Sequence, residues 1–286
     1  NQVEDAIPVS GQPIGFSVQS DWKEIPNSRS NDKTQFGQND EIQIFGFHKP
    51  FRDADENVQF MYKEGDPTTG QKVTYDNGNW NYSPKRFWPK KGVLDFFASY
   101  PYNSVHYDVG NKRMTYNNNL TQDLLYGLAT NRDCASKETV SIWMVHALAK
   151  VRIILDESLG DIGTVQVSGY KAGHFSPINY GVPAWEIDNV NTHIDATFHK
   201  FAGEGYEEDE ELHDNNSVTV FILPKKITGL QMWDYGGKPI DASEKIKDLE
   251  FEAGKVYNLT ISKSNGVRKK NTNSRSIAMS VRCVSE

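Results

Sequence analysis

Apolar and polar residues alternate with a period of two along much of this chain, a pattern that predicts β-strands. In residues 41–47, for example, Ile42 and Ile44 alternate with Glu41 and Gln43, as expected for a half-buried strand. Residues 92–100 are more continuously apolar, which indicates a central strand covered on both faces. Because helical periodicity is scarce, the pattern predicts an all-β protein.

Turn signals separate these apolar runs. Asn77-Gly78 lies between two strand-like segments and predicts a hairpin, since both turn residues must adopt positive φ. Gly236-Gly237 and Asn265-Gly266 mark further tight turns. Many short strands with such turns favour antiparallel β-sandwiches over an alternating β-α-β fold.

The segment from Thr139 to Leu155 reads as one long strand that begins between two domains. One of its alternating faces is apolar throughout, and we expect it to be buried in the core of a second sandwich. This face comprises Trp143, Val145, Ala147, Ala149, Val151, Ile153 and Leu155. The polar stretch 130–138 precedes the segment, so the predicted domains are residues 1–138 and 139–286.

Composition adds limits on function. At 286 residues the chain is long enough for one large or two ordinary domains. A net charge of −7 argues against nucleic-acid binding, which needs a basic face. No apolar run approaches the roughly 18 residues of a membrane span. The chain begins at Asn1 without Met, which is compatible with removal of a signal segment.

Four segments in a fixed order carry a resemblance to a known family. They are Phe87-Trp88-Pro89 running into residues 92–102, then residues 123–127, 146–151 and 251–261. In this order they resemble the fimbrillin-like family, which comprises the type V pilins and related lipoproteins of Bacteroidetes surfaces. The resemblance extends roughly from Phe16 to Gly266. It implies two sandwiches of transthyretin-like topology.

The resemblance also implies a function. A fimbrillin-like protein is a pilus subunit or a pilus-associated adhesin at the cell surface, anchored in the outer membrane through a lipid on an upstream cysteine. It is a structural protein and not an enzyme. Its expected partners are other pilus subunits, bound by strand exchange, and a host or bacterial surface glycan or protein.

In the pilins that this chain resembles, an Arg-specific protease cuts after an early strand. Loss of that strand opens a groove, which a strand of the next subunit fills. Arg29 follows the first strand-like run, Pro13–Val18, and is the candidate processing site; the alternative is an uncut surface loop. Because residues 15–18 are short and partly polar, we expect this strand to be exchangeable without exposing a large core.

The tail from Val267 to Glu286 is basic, unlike the acidic body of the chain. Its end alternates as a strand does, with one face formed by Ile277, Met279, Val281 and Cys283. Such a strand either docks on its own domain or serves as a donor strand for a neighbour, since an added strand gains main-chain hydrogen bonds and side-chain pockets.

Candidate chemistry is sparse. The seven histidines form no zinc-ligand spacing, and no nucleophile or phosphate-binding motif occurs, so we predict no metal, no cofactor and no catalytic residue. The acidic run from Glu204 to Asp214 is most simply a solvated loop. Cys134 and Cys283 are predicted to be two separate thiols, although a disulfide is an open alternative.

A second class of function remains open. The protein would then be a glycan-binding outer-surface lipoprotein of a polysaccharide uptake system, with exposed aromatic side chains that stack on sugars. The candidates for that role are Trp80, Trp88, Trp185 and Trp233; packing between sheets is the alternative role, expected above all for Trp88 and Trp233.

Overall fold

The computed structural model of the protein describes residues 8, 10–20, 35–51, 57–178, 181–198, 213–214, 216–263, 267–271 and 279–282. Strands make up 53% of the structure and helices 3%, and the sheets are mainly antiparallel, which confirms the predicted all-β fold. The arrangement as two transthyretin-like sandwiches stays a prediction.

The elements are numbered in chain order. The strands are β1 (Phe16–Ser20), β2 (Glu41–Lys49), β3 (Val58–Met61), β4 (Gln71–Asp76), β5 (Asn79–Asn81), β6 (Val93–Tyr100), β7 (Val105–Asp108), β8 (Arg113–Asn117), β9 (Leu125–Asp133), β10 (Val140–His146), β11 (Ala149–Leu155), β12 (Ile162–Tyr170), β13 (Ala172–Phe175), β14 (Glu186–Ile187), β15 (Asn191–Thr197), β16 (His213–Asp214), β17 (Ser217–Ile222), β18 (Ile227–Asp234), β19 (Pro239–Asp241), β20 (Val256–Ile261), β21 (Val267–Asn271) and β22 (Met279–Arg282). Helical structure among the described residues comprises a 3₁₀ turn, Glu157–Leu159, and the short helix α1, Ser243–Ile246.

Strands β1 to β6, β9 and β10 form one sheet. Its order is β1-β10-β9-β6-β2-β4-β5, with β3 also paired to β2. Strand β6 lies between β9 and β2 and is buried from Val93 to Ser99, so the predicted central strand is confirmed. The predicted hairpin is confirmed as well: Asn77 and Gly78 have φ of 49° and 86° and join β4 to β5.

Strand β2 is more buried than its alternation indicates. Every residue from Ile42 to His48 is buried, because apolar clusters cover both faces of the sheet at this point. The polar member Gln43 is accommodated by hydrogen bonds. Its Nε2 donates to Ser99 Oγ at 2.7 Å and to the carbonyl oxygen of Val105 at 2.6 Å.

Two sheets form the later part of the molecule. One has the order β16-β17-β11-β20-β21-β22, and the other has the order β15-β12-β18-β19. Between them lies an apolar core that includes Val151, Val167, Val220 and Leu259. All pairs in these sheets are antiparallel except β11–β20.

A fourth sheet, β14-β13-β8-β7, joins hairpins from distant parts of the chain. Strand β8 pairs with β13 from Met114↔Phe175 to Asn117↔Ala172. One face of this sheet packs on the eight-stranded sheet in a third apolar cluster. It therefore couples chain segments on both sides of the predicted boundary between residues 138 and 139, and that boundary stays a prediction.

The segment from Thr139 to Leu155 is two strands in two different sheets. Strand β10 belongs to the eight-stranded sheet and β11 to the six-stranded sheet. Between them, the consecutive residues Ala147 and Leu148 are both buried, so the alternation changes phase there. The core-facing positions of β10 are therefore Val140, Ile142 and Met144.

This change of phase corrects part of the predicted core. Val151 and Ile153 are buried in the later core, as predicted. Trp143 is 54% exposed and Val145 is only partly buried, so the prediction for these two is wrong. Ala147 is buried, but in the cluster between the eight-stranded sheet and the fourth sheet.

Candidate functional site

Strand β1 lies at the end of the eight-stranded sheet. It runs parallel to β10, with Phe16 opposite Val140 and Ser20 opposite Met144. In the strand order, β10 is its sole neighbour. A terminal strand keeps one row of backbone groups outside the ladder, so β1, like β5 at the other end of the order, is bonded to one neighbouring strand.

The residues just before β1 are hydrogen-bonded to a different part of the chain, residues 86–88. The backbone N–H of Ile14 donates to the carbonyl oxygen of Arg86 at 2.9 Å, and the N–H of Trp88 donates to that of Gln12 at 3.1 Å. The hydroxyl of Tyr82 donates to the carbonyl oxygen of Ile14 at 2.7 Å, and burial raises the pKa of this tyrosine. Residues 12–20 are thus bonded both to β10, along β1, and to residues 86–88, which lie between β5 and β6.

Side chains of this segment enter the core. Ile14 is 1% exposed, and Phe16 and Val18 are each 7% exposed. The ring of Phe16 meets Tyr82 and Phe96 edge to face, at centroid distances of 5.7 and 5.2 Å. The expectation that this strand leaves without exposing a large core is therefore wrong, since its departure opens a groove lined by aromatic and aliphatic side chains.

The tail supplies the terminal strand of the six-stranded sheet. Strand β22 pairs antiparallel with β21, with Met279 opposite Asn271 and Val281 opposite Lys269. It ends the order of the six-stranded sheet. The other two predicted donor residues, Ile277 and Cys283, lie outside the described residues, so the donor role stays a prediction.

Other predicted positions are only partly described. Arg29 lies outside the described residues, as do residues 204–212 of the acidic run. Cys134 is buried, and burial raises the pKa of its thiol to about 12. Cys283 is not among the described residues, so the pairing of the two cysteines stays open.

Among the described residues, the structure contains neither a metal cluster nor the predicted aromatic platform. The described part of the chain holds no group of three or more His, Cys, Asp or Glu side chains placed to bind a metal. Trp80 and Trp88 are 8% and 5% exposed, so they pack the core and do not stack sugars. Trp185 and Trp233 are partly buried, and the indole N–H of Trp185 donates to the carbonyl oxygen of Ala147 at 2.8 Å.

No described helix is long and apolar enough to cross a membrane.

Three of the four segments that carry the family resemblance meet where β10 passes into β11. His146 Nδ1 lies 2.5 Å from Asp123 Oδ2, and the N–H of Ala147 donates to the carbonyl oxygen of Leu124 at 2.8 Å. From the other side, the N–H of Gly254 donates to the carbonyl oxygen of Leu148 at 2.9 Å.

The remaining segment joins the same set through β6, because Ala98 lies opposite Gly127 of β9. The shared motifs are therefore one contiguous structural unit that connects the sheets. Sequence reasoning missed the Asp123–His146 contact, because nothing in the local pattern relates residues that lie 23 positions apart.

The comparisons with known proteins agree with this architecture. The model of the fimbrillin-like family matches residues 28–278, and the chain belongs to this family. Members of the family are fimbrial and adhesive proteins of the cell surface. None of the curated proteins matches the chain.

Solved structures share the fold at low sequence identity. A protein from Bacteroides uniformis that is assigned to cell adhesion is 19% identical, with a TM-score of 0.53 over 91% of this chain and 96% of its own. One from Bacteroides ovatus, also assigned to cell adhesion, is 13% identical, with a TM-score of 0.53 over 94% and 97%. At such identities these likenesses concern the fold alone.

Proposed function

We propose that this protein is a fimbrial subunit or pilus-associated adhesin that assembles by exchange of β1 for a strand of another subunit. The observation that carries the proposal is the placement of β1. It is a terminal strand near the start of the chain, yet it fills the core of the eight-stranded sheet with Phe16 and Val18.

The energetics of this strand favour replacement over simple loss. Without β1, the edge of β10 presents unpaired N–H and C=O groups, which recruit an added strand. The same loss uncovers apolar surface around Phe96, Val140 and Ile142. Burying one large apolar side chain is worth about 1.5–3 kcal/mol. A strand with apolar residues at alternate positions restores both kinds of contact.

The terminal strand β22 is the donor in this proposal. Its four described residues pair with β21 alone in the strand order. Its transfer to a neighbour therefore disrupts one short ladder, and the alternation of Ile277, Met279, Val281 and Cys283 suits the pockets that Phe16 and Val18 vacate.

The proposal includes the location of the protein in the cell. A fimbrial or adhesive protein of this family acts at the cell surface. We place it in fimbriae or on the outer membrane, held by a lipid on a cysteine upstream of Asn1. Metabolic labelling of native cells with a radioactive fatty acid, followed by capture of the protein, tests that anchor; an unlabelled protein in the outer-membrane fraction would contradict it.

Assembly is tested with an Arg-specific protease. Cleavage after Arg29 is expected to give a ladder of detergent-resistant oligomers on an unheated denaturing gel, and deletion of residues 277–286 is expected to abolish it. An excess of a peptide spanning residues 12–20 should also suppress the ladder, because it reoccupies the groove.

Arg29→Lys is the matched control, since it keeps the charge and removes the cleavage site while all other arginines stay. The cut chain is identified by mass, and its fold is checked by circular dichroism. A clean monomer from cut and folded protein contradicts the proposal, and so does a ladder from protease-treated Arg29→Lys protein.

A further inference from the structure

Trp143 occupies an unusual position for its residue type. It is 54% exposed in the middle of β10, whereas Trp80 and Trp88 are at most 8% exposed. A single exposed apolar residue is ordinary, but contiguous apolar surface marks a binding site. The residues around Trp143 therefore decide whether its exposed side chain belongs to a binding surface.

The strand register identifies these neighbours. Trp143 lies between Gln19 of β1 and Leu128 of β9, and Ser17 lies opposite Ser141. Core-facing residues alternate with these positions, so their side chains share the outer face of the sheet. We call this face the Trp143 shelf, and it comprises Ser17, Gln19, Leu128, Ser141, Trp143 and Val145.

One side of the shelf borders a covered part of the same sheet face. Tyr126, opposite Val145 in the ladder, is buried there beneath the fourth sheet. Its hydroxyl donates to the carbonyl oxygen of Pro177 at 2.9 Å, and the next residue, Ile178, is 49% exposed. The shelf is thus open beside Trp143 and ends at this covered region.

The backbone beneath the shelf is tightly packed. A Cβ atom on Gly127 would lie 2.4 Å from the carbonyl oxygen of Trp143. Only glycine at this position allows β9 and β10 to approach so closely. The backbone that carries the indole is therefore packed closely against β9.

The chemistry of the shelf selects its ligand. An exposed indole offers a flat apolar face, and the surrounding groups are one amide, two serine hydroxyls and two aliphatic side chains. None of the six residues is charged, in a protein with 24% charged residues. A flat, uncharged ligand with one apolar face and many hydroxyls matches these groups, and pyranose rings have this character.

We propose that the Trp143 shelf binds a neutral oligosaccharide, with one sugar ring stacked on the indole and its hydroxyls bonded to Gln19 and the serines. The absence of charge from the shelf disfavours sulfated or sialylated sugars, which require a cation to pair with their anionic groups. Ser17 and Gln19 belong to β1, the strand that the proposed assembly exchanges, so the shelf as described exists in the uncut full chain. The test therefore uses that form of the protein, and its outcome does not depend on whether strand exchange occurs.

The test is titration of a panel of neutral oligosaccharides, gluco-, manno-, xylo- and galacto-configured, by isothermal calorimetry and tryptophan fluorescence. At least one is expected to bind with a millimolar or tighter dissociation constant. Trp143→Ala should weaken that binding by about tenfold or more, which corresponds to about 1.4 kcal/mol. Gln19→Ala should weaken it less, and Trp143→Tyr should retain part of it.

Phe51→Ala is the matched control, because Phe51 is 62% exposed and lies outside the shelf. This variant should bind as the parent does. Since Trp143 is exposed, its alanine variant should keep the parent's far-UV circular dichroism spectrum and melting temperature. Failure of the whole panel to bind overturns the proposal, and so does binding that Trp143→Ala leaves unchanged. If Trp143→Ala impairs only oligomer formation, the shelf is a protein contact and not a glycan site.

Discussion

The eight-stranded and six-stranded sheets each contain one parallel strand pair in otherwise antiparallel surroundings, and the two pairs differ in how they are held. Strand β1 pairs with β10 at the end of its sheet, whereas β20 pairs with β11 and is also bonded to β21. Both contribute buried side chains.

This contrast indicates which of the two strands can be exchanged. Release of β20 would break two ladders inside a sheet, but release of β1 breaks one ladder and a short bridge at residues 86–88. Core burial stabilises both strands, and position in the sheet determines which of them can leave. Four substitutions probe this contrast, and they are ordered by the loss of stability expected for each.

Val151→Asp should have the largest effect. Val151 is fully buried on β11, beside β20, and an unpaired carboxylate there costs several kcal/mol, on the order of 3 or more. Chemical denaturation measures the loss. Ser141→Asp, at an exposed position of β10, should be close to neutral. A Val151→Asp protein that melts like the parent would show that this face of β11 is not core.

Phe16→Ala should destabilise the eight-stranded sheet by about 3 kcal/mol, because it removes a buried ring that contacts two other aromatic rings. Differential scanning calorimetry tests the predicted domains as well. If residues 1–138 and 139–286 unfold separately, Phe16→Ala should lower one transition and Val151→Asp the other. A shift of both transitions by either variant would contradict independent domains.

Gly254→Ala should cost about 1–2 kcal/mol, since Gly254 has φ of 71° and a side chain disfavours that conformation. Its N–H bond to Leu148 connects the start of β20 to the junction of the sheets. Thermal melting of this variant beside Gly237→Ala, at a similar φ of 78° with open space around it, separates backbone strain from loss of docking. Equal losses would mean that the docking contact adds nothing.

Asp123→Asn should have the smallest effect, about 0.5–1 kcal/mol, because the Asp123–His146 pair is partly exposed and screened by solvent. A double-mutant cycle with His146→Gln isolates the interaction energy. A coupling energy near zero would show that the pair does not stabilise the junction between β10 and β11.

Much of the fold could be predicted from the sequence, because its signals are local. The Asn77-Gly78 turn, the central strand β6 and the strand-rich composition all depend on neighbouring residues alone. Less of the candidate site could be predicted. The bridge formed by residues 12–20 depends on contacts with Tyr82, Arg86 and Trp88, which lie about 70 positions away and leave no local pattern.

Residue types at short spacing in the sequence determined the all-β class and the hairpin at Asn77-Gly78, and four motifs in a fixed order between residues 87 and 261 indicated the fimbrillin-like family. Tertiary structure alone decided the placement of β10 and β11. A period of two shows that a strand has two faces, but not which face meets a core. Burial of both Ala147 and Leu148 reversed the phase between these strands, and this long-range packing left Trp143 on the surface.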